Sequence, residues 1–199
     1  MPILSIVAPN IPADRKDAFL AAWPTLKADL EAQPGVAGVS AGPVIAEDGS
    51  PVTEFKFVQN IAFKTAEDFE SFSNSPWAKK QEEQYKDRAG GDAVVGTFEV
   101  ADFPQDATRP AFTQFSTIVL HDAAKGDEAR KVWSDLTAAV GKKTWGGRST
   151  GDGPSVGLAL IGWDSLEEAG EAYKKPEAEA AFTTYKTLGK TKNVMVQLQ

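Results

Sequence analysis

Two stretches of this chain, 63–85 and 163–185, repeat one another at a fixed separation of 100 positions with no gap. Phe63 stands against Trp163, Thr65 against Ser165, Glu67 against Glu167 and Asp68 against Glu168. Pro76 then matches Pro176, Ala78 matches Ala178 and Tyr85 matches Tyr185. An aromatic residue, a hydroxyl residue and two acids, in that order, spell a strand end, a helix N-cap and a first helical turn. The hydroxyl takes an orphan backbone N–H, and the acids suit the positive end of the helix. Further upstream, Phe19, Trp23, Leu26 and Leu30 match Ala129, Trp133, Leu136 and Val140 at a separation of 110. The separation shrinks because Gly151-Asp152-Gly153-Pro154 is a shorter hairpin than the Ala46–Pro51 stretch. A chain that carries one pattern twice must be read as two units.

Each unit reads as β-α-β-β-α-β, the split-βαβ order. In the first, residues 3–8 suit a buried strand and Pro12 and Asp14 open a helix. Phe19, Trp23, Leu26 and Leu30 make its apolar face, and Pro24 predicts a kink. Residues 36–46 are extended, Glu47-Asp48-Gly49-Ser50 turns, and residues 52–62 return as a strand. Phe55, Phe57, Gln59, Ile61 and Phe63 share one face of that return. A helix from Thr65 is interrupted at Ser75-Pro76, Gly90-Gly91 turns, and 93–101 closes the unit. The second unit has strands at 112–120, 155–163 and 192–199, a helix from about 126 and a broken helix over 165–188. The boundaries are therefore 1–101 for the first repeat, 102–110 for a polar, Pro-flanked linker, and 111–199 for the second repeat.

A four-stranded sheet with both helices on one face leaves its other face bare and too apolar to stay wet. Two copies on one chain bury it sheet against sheet. The predicted fold is α+β: two tandem ferredoxin-like (βαββαβ) units forming an intramolecular pseudo-dimeric α+β barrel. Helices lying over a twisted sheet leave room for a concave apolar pocket between the layers.

Charge and composition narrow the partners. The formal net charge is −7 with no basic stripe, which argues against nucleic acid and anionic membrane. No apolar run reaches a membrane span, and the N-terminal stretch lacks a basic region before its apolar residues. There is no cysteine and one histidine, so thiolate and multi-histidine metal sites are out of reach for one chain. The expectations are a cytoplasmic monomer with an internal pseudo-dimer, no metal, no cofactor, and a small hydrophobic or aromatic molecule as partner.

The junction Gly162-Trp163-Asp164-Ser165-Leu166-Glu167-Glu168-Ala169 resembles the antibiotic biosynthesis monooxygenase family, whose members often carry a tryptophan, an acid and a serine there. Phe63-Lys64-Thr65-Ala66-Glu67-Asp68-Phe69 is a weaker copy, and the β-α-β-β-α-β order extends the resemblance over both halves. The resemblance implies oxidation of phenolic polycyclic substrates to quinones without metal or flavin. The substrate's own anion would supply the electrons, and the protein a water-excluding pocket with one or two hydrogen bonds. The family tryptophan carries over to Trp163. The asparagine four residues before it does not: that position is Ala159, and Gln59 in the first half.

The candidate catalytic residues are His121, a base able to take a phenolic proton near neutrality, and Gln59, a buried amide donor. The candidate substrate-binding residues are Trp163, Phe63, Tyr85, Tyr185, Trp23, Trp133 and Arg148. Each has a plainer reading beside it: core packing for the tryptophans and Phe63, a backbone-bonded phenol for the tyrosines, and a strand-end histidine for His121. An enzyme needs a titratable group aimed inward, whereas a non-catalytic binder or stress-type barrel protein needs only shape and an apolar wall. A haem-binding relative is a further reading, set against a lone histidine placed at a strand end.

Overall fold

The computed structural model describes residues 1–88, 93–103, 110–151 and 153–198. The Gly90-Gly91 turn, Asp152 of the second hairpin and most of the linker lie outside these residues. The first half runs through β1 (Ile3–Ala8), a 3-10 turn (Ala13–Arg15), α1 (Lys16–Glu31), β2 (Val36–Glu47), a short β3 (Ser50–Pro51), β4 (Phe57–Phe63), α2 (Ala66–Ser73), α3 (Pro76–Arg88) and β5 (Val94–Val100). The second half runs through β6 (Phe112–Leu120), a 3-10 turn (Ala123–Lys125), α4 (Gly126–Val140), β7 (Thr144–Ser149), β8 (Val156–Trp163), α5 (Leu166–Tyr173), α6 (Pro176–Leu188) and β9 (Gly189–Gln197).

The repeated junctions act as the residue types require. Thr65 Oγ1 accepts the Asp68 N–H at 3.1 Å, and Ser165 Oγ accepts the Glu168 N–H at 3.0 Å. Both helices then stop short of a proline, and α3 and α6 restart at Pro76 and Pro176. Proline has no N–H to donate and is tolerated only in the first turn. Pro24 behaves otherwise: α1 continues through it to Glu31 as one helix. Pro24 is on the exposed face, where water can take the carbonyl that the missing N–H leaves free. The first hairpin turns at Asp48 (φ 47°) and Gly49 (φ 82°), two left-handed residues that match the twist of the flanking strands. The return strand starts at Phe57, later than the alternating pattern suggests, because after Ser50, Pro51 and the Val52 N–H, which reaches Ile45 O at 3.2 Å, the chain leaves the ladder.

The sheet order is β3-β2-β4-β1-β5-β7-β8-β6-β9, and β2 also pairs with β9. Eight strands therefore close into an antiparallel barrel, with β3 as a short flank on β2. Two seams join the halves: β5 with β7 (Phe98 opposite Ser149) and β2 with β9 (Val44 opposite Val196). The mixed α/β fold is a closed barrel wrapped by six helices among the described residues. None of those helices is long and apolar enough to cross a membrane.

Period-two alternation splits the buried residues into layers. Inside the barrel, Leu4, Val58, Phe98, Phe115, Leu158 and Val196 form one cluster drawn from both halves. Outside it, Ile3, Trp23, Phe57, Ile61 and Phe63 pack under α1 and α2. Leu136, Ile161, Trp163, Ala172 and Ala178 pack under α4, α5 and α6.

Candidate functional site

The helix-facing positions of β6 are unusual for a buried strand. Gln114 and Ser116 are 5% and 1% exposed and point away from the barrel interior, toward α5 and α6. A buried amide must find partners, and Gln114 finds several. Its Oε1 accepts from Trp163 Nε1 at 3.2 Å. Its Nε2 donates to Tyr173 Oη at 2.9 Å and to Ser116 Oγ at 3.0 Å. Ser116 Oγ donates to Asn193 Oδ1 at 2.5 Å. The network leaves the layer through Asn193, whose backbone N–H donates to Asp48 Oδ1 of the first hairpin at 2.8 Å. Tyr173, Gln114 and the indole of Trp163 are thus one hydrogen-bonded cluster inside an otherwise apolar wall.

Two further aromatic groups complete this layer. Tyr185 is 5% exposed, and its ring lies 5.0 Å from that of Trp133. The Trp133 indole nitrogen is buried with no hydrogen-bond partner. Burial pushes the Tyr173 phenol up to about 12, against the pull of its Gln114 bond. Burial also pushes Tyr185 up, reinforced by the nearby Tyr173. Both phenols therefore keep their protons across the neutral range. Lys142 holds the outer rim: it pairs with Glu168 at 2.5 Å and sits 5.7 Å from the Trp163 ring centroid. Its bond to Glu168, first among several, keeps that carboxyl below the ordinary range.

The candidates named from sequence scatter. Trp163, Tyr185 and Trp133 belong to this layer. Trp23 and Phe63 are buried in the opposite one, among Phe19, Phe57, Phe69 and Phe72. Gln59 is 8% exposed, on the helix-facing side of β4 in that same first-half layer. Tyr85 Oη accepts the Asn10 backbone N–H at 2.6 Å, which commits the phenol to a structural bond. His121 is exposed just past β6, tied by its backbone N–H to Leu188 O at 3.0 Å. Arg148 is exposed on β7. The structure does not bring His121, Gln59 and Arg148 to one place. Gln114 and Tyr173 escaped sequence reasoning. The available signal was a Gln and a Ser spaced by two within the apolar run Phe112–Leu120.

No family profile matches this sequence, and no curated protein matches it. Solved structures do share its fold. A candidate monooxygenase from Fusobacterium nucleatum subsp. nucleatum ATCC 25586 superposes with a TM-score of 0.71 at 11% identity, over 99% of this chain and 92% of that one. An anthrone oxidase-like protein gives 0.69 at 14% identity, over 100% and 91%. A candidate monooxygenase from Lactobacillus acidophilus NCFM gives 0.65 at 11% identity, over 99% and 93%. At these identities the shared property is the α+β barrel fold, the one that the resemblance to the antibiotic biosynthesis monooxygenases implied.

Proposed function

We propose that this chain is a small-molecule-processing enzyme of the cofactor-independent monooxygenase type, with a cyclase or isomerase as the nearest variant. Its substrate is an aromatic or polyketide-like molecule received beneath α4, α5 and α6. The observation that carries the reading is the set of buried neutral donors facing one apolar layer: the unpartnered Trp133 indole beside Tyr185, and the Tyr173–Gln114–Trp163 cluster. Neutral donors in a dry site stabilise an oxyanion as it forms, and burial keeps the Tyr173 and Tyr185 phenols protonated. In an anthrone-type reaction the substrate enters as its enolate, the methylene proton having passed to solvent, and the enolate carbon adds to dioxygen, solvent returning a proton to the peroxide. The peroxide then expels water. One oxygen atom stays as the new carbonyl, the other leaves with the two methylene hydrogens, and the substrate supplies both electron pairs. Tyr185 and Trp133 donate to the enolate oxygen, and the apolar wall excludes water.

The same reading takes the two halves as tandem copies of a ferredoxin-like unit, fused into an intramolecular pseudo-dimer. It is supported by the matched N-caps, the matched helix breaks and the identical strand order within each half, β2-β4-β1-β5 and β7-β8-β6-β9. A fused pair has no need of a second chain, so the protein should elute as a monomer. Elution at twice the mass would count against it. A haem-binding role draws little support: the single histidine is exposed and faces neither layer.

The test is oxygen uptake with a panel of tricyclic phenols and anthrones, without added metal. Turnover by the native chain, falling about 10²- to 10³-fold in Tyr185→Phe and in Trp133→Phe, is the expected result. A phenol that raises the melting temperature yet is recovered unchanged would turn the assignment to a non-catalytic binding protein. The mutual saturation of Gln114, Ser116 and Asn193 is the observation that favours that second reading.

A further inference from the structure

One well-formed cavity is not beneath the helices. It lies inside the barrel, about 390 Å³ in volume, at the end bounded by Asp102, Phe103 and Pro110. This is within the range of small-molecule sites. Its wall is mostly apolar, with Leu4, Val100, Phe115 and Leu160 from four different strands. Ser40, Asn60, Asp102, Thr113 and Trp145 add polar groups to that wall, and two of their atoms are buried without a hydrogen-bond partner: Asn60 Oδ1 and Trp145 Nε1. Asn60 is 6% exposed, and only the other end of its amide is engaged, through a long 3.4 Å contact with Ser40 Oγ. Native interiors rarely leave such atoms orphaned, and an orphan that faces a cavity marks where a ligand atom or a water belongs.

The backbone also makes room. β2 carries a register shift between Val36 and Gly38, and Gly38 lines the cavity. A Cβ built on Gly38 would meet nothing within 4 Å, so the missing side chain enlarges the space without relieving any clash. Among the described lining residues the charged one is Asp102, an acid that disfavours an anionic ligand.

From these features we infer that the barrel interior is a second small-molecule site. It is separate from the cluster beneath α4, α5 and α6, and it selects an uncharged, largely apolar molecule that bears an acceptor for Trp145 Nε1 and a donor for Asn60 Oδ1. Hydroxylated aromatic lactones and amides have this chemistry. Fatty acids and other carboxylates do not. The inference does not depend on the oxygenase reading, because no residue proposed for that chemistry lines the cavity.

The probe is 7-hydroxycoumarin, at a pH where it is neutral, titrated into the full chain and followed by the indole N–H resonances of the five tryptophans. The Trp145 resonance is identified by its loss in Trp145→Phe. The expected result is a saturable shift of that resonance, about tenfold weaker binding in Asn60→Leu, and similar weakening for coumarin lacking the hydroxyl. Gly38→Leu should abolish binding by filling the cavity, whereas Tyr185→Phe should leave it unchanged. Asn60→Leu should also melt no lower than the native chain, since its carbonyl has no structural partner to lose. Shifts confined to Trp133 and Trp163, unchanged affinity in Asn60→Leu and Gly38→Leu, or no binding at all would each overturn the inference.

Discussion

The two helix-covered layers of this barrel sit at equivalent positions and are built from different chemistry. Strand register makes the equivalence concrete. Ser5 lies opposite Ile61 as Gln114 lies opposite Ile161, and Val7 lies opposite Gln59 as Ser116 lies opposite Ala159. The first layer is filled with rings. Phe57 and Phe63 are 1% and 0% exposed and pack edge-on against Phe19, Trp23 and Phe69. The second replaces much of that mass with the Gln114–Tyr173–Trp163 cluster. The last helices differ as well: α6 buries Ala178, Tyr185 and Leu188, whereas the helix-side Val95 of β5 in the first half is 59% exposed. Where one sequence pattern is used twice, one copy can hold the fold by packing while the other carries hydrogen-bonding groups.

That division of labour can be broken by mutation. The largest effect belongs to the first layer: Phe63→Ala should cost about 3–5 kcal/mol in urea unfolding, because a fully buried ring leaves a cavity its neighbours cannot close. Next comes the amide in each layer. Gln114→Leu strands the donors of Trp163 and the phenol of Tyr173, and should cost about 2–3 kcal/mol. Gln59→Leu in the first layer should cost under about 1 kcal/mol. Equal losses would show that the two layers depend on their amides alike.

A smaller effect appears in alkali. The Tyr173 phenol is raised in the folded chain, so the folded state holds its proton longer than the unfolded state does. Stability should begin to fall as pH rises above the ordinary tyrosine value of 10.0 and continue falling to about 12. Tyr173→Phe should flatten the slope, as read by unfolding midpoints across that range. The smallest effect is in acid. Lys56, bonded to Glu47 at 2.5 Å, holds that carboxyl below its ordinary value of 4.5 with help from Lys192. Its contribution is complete above that value and is lost as pH falls through the lowered one. The pair is partly exposed, so Glu47→Gln should change acid stability by under about 1 kcal/mol.

The repeat made most of the fold legible. Thr65, Ser165, Pro76 and Pro176 act through local backbone chemistry, and local chemistry is what a sequence displays directly. Strand pairing across the two seams is not local, and the need to bury a second sheet face pointed to sheet-on-sheet packing without naming those pairings. The site was harder to read. Aromatic residues at matched positions looked equivalent, but Tyr85 bonds to the Asn10 backbone whereas Tyr185 is sealed in the layer. That difference depends on how closely α3 and α6 lie against the sheet, and no residue type announces it. Trp145 was not among the residues singled out from the sequence. Its place in the barrel interior follows from its register opposite Leu160 of β8.

The seam between β2 and β9 sets an order of events during synthesis. Val44 must wait for Val196, nearly the whole length of the chain later, before the ring of strands can close. Until β9 emerges from the ribosome, Val196 is missing from the cluster that Leu4, Val58, Phe98, Phe115 and Leu158 form inside the barrel. Closure of that seam waits for β9, whose pairing with β2 also lets the Asp48 turn capture Asn193. A barrel made this way is sealed by its last strand, and a nascent chain stalled before that strand would leave one edge of β2 unpaired.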